Sequence, residues 1–476
     1  MKQENSVYLG LDLGTGSLKA LLLSGAGEVL ARESAPYQVS YPQPGWAESD
    51  PREWEAAAVT ATRALPGELR AQVRAVSFSG QMHGVVLTDA ALVPLRPAVL
   101  WLDARSVPLL PRFARLAGPR PNPVTAGMAG PTLLWVRGHE EAVYAAARWA
   151  FQPKDWLRAR LGGDPAGDPS DASGTLLANV NGEWNLGLLR ALGLRADLLP
   201  PLRASDEVVG TLSAGAASLL GLPEGVPLVT GAGDTAAALF GGGLGPDEAG
   251  LTVGSGAQIV RRLDVPRADP RLQLYRAAGP GWYALAAMQN AGLALEWARG
   301  VLGLSWEDAY AEAFAPSVTA PPAFLPYLSG ERTPLMDPHA CGSWSGLRLG
   351  QTRGDLMRAA LEGVAFALRD GLDTLEEVHG RAGTVRVAGG GTVDPRWRQL
   401  LADALDRPLR PGEVPDASAR GAALLALAGV GGSLADVAPV PLGPPVEPGR
   451  ERDAVQERFA RWKELQGALR AWWSVG

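Results

Sequence analysis

A strand that enters a glycine-hydroxyl-glycine turn and leaves as a second strand occurs twice in this chain. The first copy is Asp12-Leu13-Gly14-Thr15-Gly16-Ser17, and the second is Thr252-Val253-Gly254-Ser255-Gly256. Recurrence of one strand-turn-strand unit at distant positions indicates related structural units. The sequence therefore predicts two related domains that face each other.

The pattern of apolar residues predicts an α/β fold in both halves. The chain begins as an antiparallel meander, and apolar strands at Val73 to Gly80 and Ala98 to Arg105 are separated by helical stretches. The same alternation restarts near Pro227. Because 476 residues exceed one ordinary hydrophobic core, we expect domains at residues 1–244 and 245–476.

Charge and cysteine content exclude several classes of protein. The net charge is −6 and no run of Lys or Arg occurs, which argues against nucleic acid as the main partner. A single cysteine, Cys341, cannot form an intramolecular disulfide, so we expect a cytoplasmic protein. The longest apolar stretch, Ala422 to Val430, is about half of a membrane span, so no membrane segment is predicted.

The first glycine turn is suited to binding phosphate. Backbone N–H groups and the hydroxyls of Thr15 and Ser17 can point at one phosphate oxygen, and Lys19 adds positive charge. A plain hairpin explains the same glycines. Asp12 favours the phosphate interpretation, because a carboxylate among apolar residues is expensive to bury unless it is paired or binds a metal such as Mg²⁺.

Asp234 is the candidate general base. It stands in Gly-Ala-Gly-Asp-Thr, between a buried strand and a predicted helix, and it lies close to the expected domain junction. Substrate clefts commonly lie between domains. A helix N-cap is an equally good explanation for Asp234 when this turn is considered alone.

Two further segments have the side chains of a sugar site. Met82 and His83 follow the strand Val73 to Gly80 in Ser-Gly-Gln-Met-His-Gly, although an isolated histidine is commonly a structural hydrogen bonder. Trp101, Asp103 and Arg105 alternate along a predicted strand and would point to one side. An aromatic face with nearby charged groups suits a sugar, and a surface salt bridge beside a core tryptophan is the alternative.

Gly389-Gly390-Gly391 ends a predicted strand and precedes a helix, where glycine permits a nucleotide to approach the backbone. A simple tight turn would explain these residues equally well. Neither GxGxxG nor GxxxxGK[ST] occurs in the chain. The four histidines are scattered too widely for the usual zinc-site spacings, and Gly342 to Gly346 lacks the serine of a hydrolase elbow.

Taken together, these motifs resemble the FGGY carbohydrate kinases, and among them most closely the kinases of xylulose. The resemblance covers nearly the whole chain. It rests on these segments: DLGTGSLK, PGWAESDPREWEAA, SGQMHG, LWLDAR, PKDWLRARL, SDASGT, GAGDTAAA, LPYLSGERTP and AGGGTVDPRWRQLLAD. Three positions depart from the family pattern: Thr132 replaces a usual lysine, and Leu102 and Thr235 each replace a usual asparagine. These departures leave the reaction intact and the exact sugar open.

The resemblance implies two ribonuclease-H-like domains of the actin and hexokinase ATPase type, with MgATP and a sugar meeting in the cleft between them. It implies phosphoryl transfer to the terminal hydroxyl of D-xylulose, with ribulose, another pentulose, a glycerol-like polyol, or a non-catalytic binding role as alternatives. It is also compatible with a homodimer.

By the same resemblance, each candidate residue receives an expected role. Asp234 would be the base and would also lie near the metal with Asp12. Sugar contacts are expected from Met82, His83, Trp101, Asp103, Asp234 and Thr235. Phosphate and nucleotide contacts are expected from Thr15, Gly16, Ser17, Lys19, Gly254, Ser255, Gly390, Gly391 and Asp416.

Overall fold

The structure is a computed structural model that describes residues 6–317, 320–412 and 414–473. The strands of the first half are β1 (Val7–Leu13), β2 (Ser17–Ser24), β3 (Val29–Pro36), β4 (Glu48–Ser49), β5 (Val73–Gly80), β6 (Val86–Thr88), β7 (Ala98–Val99), β8 (Trp149–Phe151), β9 (Val208–Thr211), β10 (Pro227–Val229) and β11 (Ala232–Gly233). Its helices are α1 (Pro51–Ala64), α2 (Gly67–Arg70), α3 (Leu110–Ala117), α4 (Ala129–His139), α5 (Glu141–Ala146), α6 (Pro153–Arg160), α7 (Pro169–Ser173), α8 (Leu186–Leu192), α9 (Ala214–Leu220) and α10 (Asp234–Gly242).

The second half repeats the mixture of strands and helices. Its strands are β12 (Glu248–Val253), β13 (Ala257–Leu263), β14 (Gln273–Arg276), β15 (Trp282–Met288), β16 (Ala323–Leu325), β17 (Ser343–Ser345), β18 (Thr384–Ala388) and β19 (Leu409–Pro411). Its helices are α11 (Gly292–Val301), α12 (Trp306–Ala313), α13 (Arg353–His379), α14 (Pro395–Leu405), α15 (Ala417–Gly429) and α16 (Arg452–Trp473).

Two mixed sheets with the same plan organise the molecule. The first sheet has the order β3-β2-β1-β5-β10-β9, and the second has the order β14-β15-β13-β12-β18-β19. In each, an antiparallel meander is followed by a parallel pair, β1 with β5 and β12 with β18. The turns at 14–17 and 254–256 therefore occupy equivalent positions, and the predicted α/β fold with two related units is confirmed.

Helices α10 and α15 lie between the two sheets. α15 packs on β1 and β5 of the first sheet, and α10 packs along α15. Gly421 of α15 is buried against α10, and a methyl group at that position would overlap the Ala237 carbonyl oxygen. A hydrophobic cluster that includes Ala237, Leu425 and Tyr283 joins both helices to the second sheet. This close backbone contact fixes α10, which begins at Asp234.

The sequence predicted most elements near the candidate site. The meander, β5 and the strand-turn-helix from Pro227 to Gly242 are confirmed. The predicted strand from Ala98 to Arg105 is wrong, because β7 ends at Val99 and the chain then turns. In the described ranges, every helix is too short or too polar to cross a lipid bilayer.

Candidate active site

Asp12 lies near the carboxyl end of β1, a strand whose residues are all buried. Its side chain is 7% exposed, and its Oδ1 accepts a hydrogen bond of 2.6 Å from the Ser79 hydroxyl on β5. Burial raises the pKa of Asp12, while the Ser79 hydrogen bond and the charge of Lys19 act in the opposite direction. Asp12 is thus a buried carboxylate whose burial is only partly compensated by one hydroxyl and by the charge of Lys19 on the neighbouring strand.

Asp234 is the first residue of α10, directly after β11. The N-cap position belongs to Gly233, so the capping alternative for Asp234 is wrong. Its Oδ1 instead accepts hydrogen bonds from Thr235, at 2.5 Å from the backbone nitrogen and 3.1 Å from Oγ1. Burial, and then the charge of Asp12, raise the pKa of Asp234 to about 6. A carboxylate with such a pKa is suited to accept a proton near neutral pH.

Asp12 and Asp234 line one cavity of about 500 Å³ between the two sheets. We call this cavity the cleft. From the first half of the chain it is also lined by Gly14 and Thr235, and from the second half by Thr252, Gln258, Arg386, Gly389 and Ser418, among others. The cleft therefore brings together groups from both halves of the chain, a setting in which ligand sites commonly lie.

The first glycine turn lies beside the cleft, in a well-supported conformation. The Gly14 carbonyl accepts hydrogen bonds from the Tyr37 hydroxyl and from Gln81 Nε2, the latter at 3.1 Å. Thr15 Oγ1 accepts a bond of 3.0 Å from Trp101 Nε1. Gly16 and Ser17 complete the turn, whose backbone closes through Gly14 N and Ser17 O at 3.0 Å. These contacts hold the turn in place beside the cleft.

Lys19 connects this turn to the start of α15. Its ammonium group lies 2.9 Å from Asp416, which also pairs with Arg32 at 3.2 Å. The Ser418 hydroxyl donates to the backbone carbonyl of Asp234 at 3.1 Å. The start of α15 is thus joined to β2, directly after the first turn, and to the backbone of the candidate base. A contact between Asp416 and a nucleotide stays a prediction.

The second glycine turn and the triple glycine lie at one edge of the second sheet. β12 and β18 are parallel, with Thr252 opposite Ala388, so Gly254-Ser255 and Gly389-Gly391 follow neighbouring strand ends. Gly389 has a φ of 96° and packs against the Val253 carbonyl, which requires glycine. Gly389 lines the cleft, whereas Gly390 and Gly391 form the turn beyond it.

Met82 lies next to the candidate base, and His83 follows it in the chain. The Met82 side chain packs against Gly233, the residue before Asp234. His83 Nδ1 lies 2.7 Å from the Gly174 carbonyl, and because a carbonyl only accepts, Nδ1 carries the proton. Burial lowers the pKa of His83 to about 4, so the ring is neutral and offers Nε2 as an acceptor.

The segment after β7 differs from its prediction. Trp101 is 39% exposed and reaches the first turn through Thr15, but Asp103 does not reach the cleft. The Asp103 carboxylate accepts from Ala47 N at 2.7 Å and from Arg105 Nε at 2.8 Å. The Arg105 guanidinium stacks on Trp46, 3.7 Å from the ring centroid. The alternation argument was wrong because the chain leaves the strand before Trp101, and Asp103 anchors the loop from inside.

A buried charge cluster behind Asp234 was missed. Lys154 Nζ lies 2.7 Å from Asp155, 2.8 Å from Asp168 and 3.5 Å from Asp171. Burial raises the pKa of Asp171, and within the described part of the chain neither of its carboxylate oxygens has a hydrogen-bond partner. Lys154 and Asp155 lie in the segment PKDWLRARL, Asp171 lies in SDASGT, and Asp168 lies just before the second segment; the sequence assigns neither segment a role.

Ser170 joins this cluster to the residues directly before Asp234. Its hydroxyl donates to Asp168 Oδ2 at 2.5 Å and accepts from Gly233 N at 3.0 Å. The residue before Asp234 is therefore held by a serine whose orientation is set by a buried, lysine-paired aspartate. Sequence spacing could not show this connection, because Ser170 and Gly233 are 63 residues apart.

Comparison with known proteins agrees with this geometry. The N-terminal-domain model of the FGGY family of carbohydrate kinases matches residues 7–241, and the C-terminal-domain model matches residues 260–430.

Individual relatives agree with these matches. The xylulose kinase of Escherichia coli (strain K12) is 36% identical over 412 residues, covering 83% of this chain and 84% of its own. The xylulose kinase of Staphylococcus epidermidis (strain ATCC 12228 / FDA PCI 1200) is 32% identical over 438 residues, covering 89% and 88%. The crystal structure of xylulose kinase from Rhodospirillum rubrum superimposes with a TM-score of 0.88 at 29% identity, covering 98% of this chain and 100% of that one. With two sheets of one plan and a carboxylate pair in the cleft between them, this chain belongs to the FGGY family of carbohydrate kinases.

Proposed function

We propose that the protein transfers the γ-phosphoryl group of ATP to the terminal hydroxyl of D-xylulose, giving D-xylulose 5-phosphate and ADP, with Asp234 as the general base. The observation that carries this proposal is the pair of carboxylates, Asp12 and Asp234, facing one cleft between the sheets. The xylulose kinases among its relatives, up to 36% identical, support the choice of sugar.

The residues present fit ATP with Mg²⁺. In the described residues only Oδ1 of Asp12 is hydrogen-bonded, which leaves Oδ2 for a cation. Mg²⁺ is commonly held by one or two carboxylates together with substrate phosphates and water. No group of three or more His, Cys, Asp or Glu side chains suited to a metal occurs in the described ranges, which agrees with a cation shared with the phosphates. When bound, Mg²⁺ would neutralise phosphate charge.

We assign the metal and phosphate contacts to residues in and beside the cleft. Asp12, with Asp234 close by, would hold the cation. The remaining phosphate and nucleotide contacts would come from Thr15, Gly16, Ser17, Lys19, Gly254, Ser255, Gly390, Gly391 and Asp416. In phosphoryl transfer the protein mainly positions the reactants and offsets charge.

Asp234 would take the proton of the attacking hydroxyl. Above pH 6 its carboxylate is mostly ionised, and Thr235 orients it through two hydrogen bonds. Neutral His83 and Met82 would contact the sugar beside it. Thr132, one of the departures from the family pattern, is buried in α4, whereas Leu102 is exposed and Thr235 contacts the base. Of these three, Thr235 is the residue in direct contact with the proposed base, where it can alter sugar preference.

An ADP-release assay with a panel of acceptors tests this function. The wild-type protein should release ADP with the highest kcat/KM for D-xylulose, and more weakly for D-ribulose and glycerol. A higher kcat/KM for another acceptor would identify that acceptor, in place of D-xylulose, as the substrate. Absence of any acceptor-dependent ADP release would support a non-catalytic binding protein instead. Asp234→Ala, which should release no ADP above background, shows that the signal arises in the cleft.

A further inference from the structure

A second cavity, of about 640 Å³, lies at the far end of α10 from Asp234. We call it the rear cavity. It is lined by Gly241 to Gly243 at the end of α10, by the turn at residues 277–280, by parts of the segment 434–442, and by four arginines: Arg262, Arg386, Arg410 and Arg420. Its lining contains no aspartate or glutamate among the described residues. The rear cavity is therefore strongly positive.

Two of the four arginines have a structural role. Arg420, 7% exposed, donates to the carbonyl of Gly241 and, at 3.5 Å, to that of Gly27. Arg386 donates to the Gly242 carbonyl at 2.9 Å and pairs with Glu248. Cations at the carboxyl end of a helix satisfy its last carbonyls and stabilise its dipole. Capping of α10 therefore explains Arg386 and Arg420.

Helix capping does not explain the presence of Arg262 and Arg410. Both are exposed side chains on strands of the second sheet, and in the described residues neither makes a hydrogen bond or an ion pair. Glu248 is the acidic residue close to this group, and it is already paired with Arg386. The four arginines thus have one carboxylate close to them, and it is paired with Arg386. The guanidinium groups of Arg262 and Arg410 remain available to a ligand in the cavity.

We propose that the rear cavity binds a compact polyphosphate-type anion, with Arg262 and Arg410 as its direct contacts. Guanidinium groups bind phosphate oxygens through paired, charge-assisted hydrogen bonds. Arg420, on the side of α15, and Arg386 add positive charge without leaving their helix-capping positions. The bound anion would bridge the second sheet and the α10–α15 pair. α10, which separates Asp234 from the Gly241 to Gly243 end of the cavity, is roughly 13 Å long.

The rear cavity adjoins the cleft, so the experiment must separate the two sites. Leu239, Gly242, Arg386 and Leu442 line both. A polyphosphate could therefore also enter the region expected to hold the phosphates of ATP. Saturating ADP blocks that region and leaves the rear cavity open.

Calorimetric titration with sodium tripolyphosphate at low ionic strength, with saturating ADP and no added Mg²⁺, tests the proposal. Wild-type protein should bind, and Arg262→Gln with Arg410→Gln should weaken binding at least tenfold. Arg262→Lys with Arg410→Lys, which retains charge, should recover part of the affinity. The matched control is Arg112→Gln with Arg115→Gln, two exposed arginines of α3, which should change affinity by less than twofold.

The KM for ATP separates a rear site from the nucleotide site. It should be unchanged in the Arg262→Gln, Arg410→Gln protein, because neither residue lines the cleft. The proposal is overturned if the wild-type protein does not bind tripolyphosphate, if ADP abolishes binding, or if the glutamine double variant binds as tightly as wild type. An equal loss of tripolyphosphate and ATP affinity in that variant would overturn it as well, by indicating a single site.

Discussion

Asp12 lies at the carboxyl end of β1 and Asp234 directly follows β11, and these two strands flank the same central strand, β5. Ser79 of β5 lies opposite Asp12 on one side and opposite Ala232, two residues before Asp234, on the other. Two strand spacings of about 4.8 Å therefore separate the two backbones at one edge of the sheet. At that separation the charge of Asp12 contributes to the raised pKa of Asp234. The parallel register thus both places the carboxylates and couples them electrostatically.

Asp234→Asn should lose activity and gain stability. Removing the base should lower kcat by about 10²–10⁴-fold. A carboxylate whose pKa is raised on folding disfavours the folded state as pH rises from the unfolded value through about 6. At pH 7.5 the neutral amide should therefore stabilise the protein by about 1–3 kcal/mol, seen as a higher Tm.

Asp206→Asn is the matched control for this substitution, because Asp206 is an exposed aspartate in the same half of the chain. It should change neither kcat nor Tm. Near-normal turnover by Asp234→Asn would reject Asp234 as the base, and a lower Tm would indicate a structural role instead.

The pH profile of kcat/KM should have an acidic limb near pH 6, because Asp234 must be ionised to accept a proton. The hydrogen bonds from Thr235 favour the ionised form and lower the pKa. Thr235→Val removes the hydroxyl donor, so the limb should move to higher pH. Thr235→Ser keeps the donor and should leave the limb in place. An unchanged limb in the valine variant would mean that another group controls the profile.

Ser170→Ala should impair the positioning of Asp234. The substitution leaves the buried Gly233 N–H without its acceptor, which should cost about 1–3 kcal/mol of stability. Because the loop before the base is then less constrained, kcat should fall about tenfold with little change in the KM for ATP. Ser106→Ala is the control, since in the described part of the chain the buried Ser106 hydroxyl has no hydrogen-bond partner. Equal effects of the two alanines would refute a positioning role.

Gly421→Ala should destabilise the contact between α10 and α15. The added methyl would overlap the Ala237 carbonyl, so the helices must separate, and overpacking of this kind costs about 1–3 kcal/mol. Gly467→Ala in α16 is the matched control: a methyl there meets nothing within 4 Å and should stabilise the helix by roughly 0.5–1 kcal/mol. Thermal unfolding of both variants decides the point, and a stabilised Gly421→Ala would contradict the packing described.

The sequence predicted those parts of the site that depend on strand ends. Asp12 lies at the end of a recognisable strand, and Asp234 and the two glycine turns directly follow such strands. The end of a strand fixes where the next residues emerge. Asp103 was misplaced because side-chain alternation holds only while a strand continues, and β7 ends at Val99.

The hydrogen bonds and ion pairs that hold the site in place could not be predicted in the same way. The bond from Gly233 to Ser170 depends on tertiary packing between distant segments, and so does the buried position of Lys154 among three aspartates. Local patterns contain no information about such contacts. The available signal was the polarity of SDASGT and PKDW, which is unusual for segments that become buried.

Helices α10 and α15 touch through their backbones at Gly421 and Ala237, with no side chain between them. Side chains can change rotamer to absorb a small sliding movement, but two backbones in contact cannot. The two helices should therefore move as one rigid body when the cleft closes. We expect the backbone to bend at Gly243, directly after α10, and at Asp416, directly before α15. Both residues have left-handed backbone angles. The proton acceptor would then keep its position relative to α15 throughout closure, while the second sheet swings toward it.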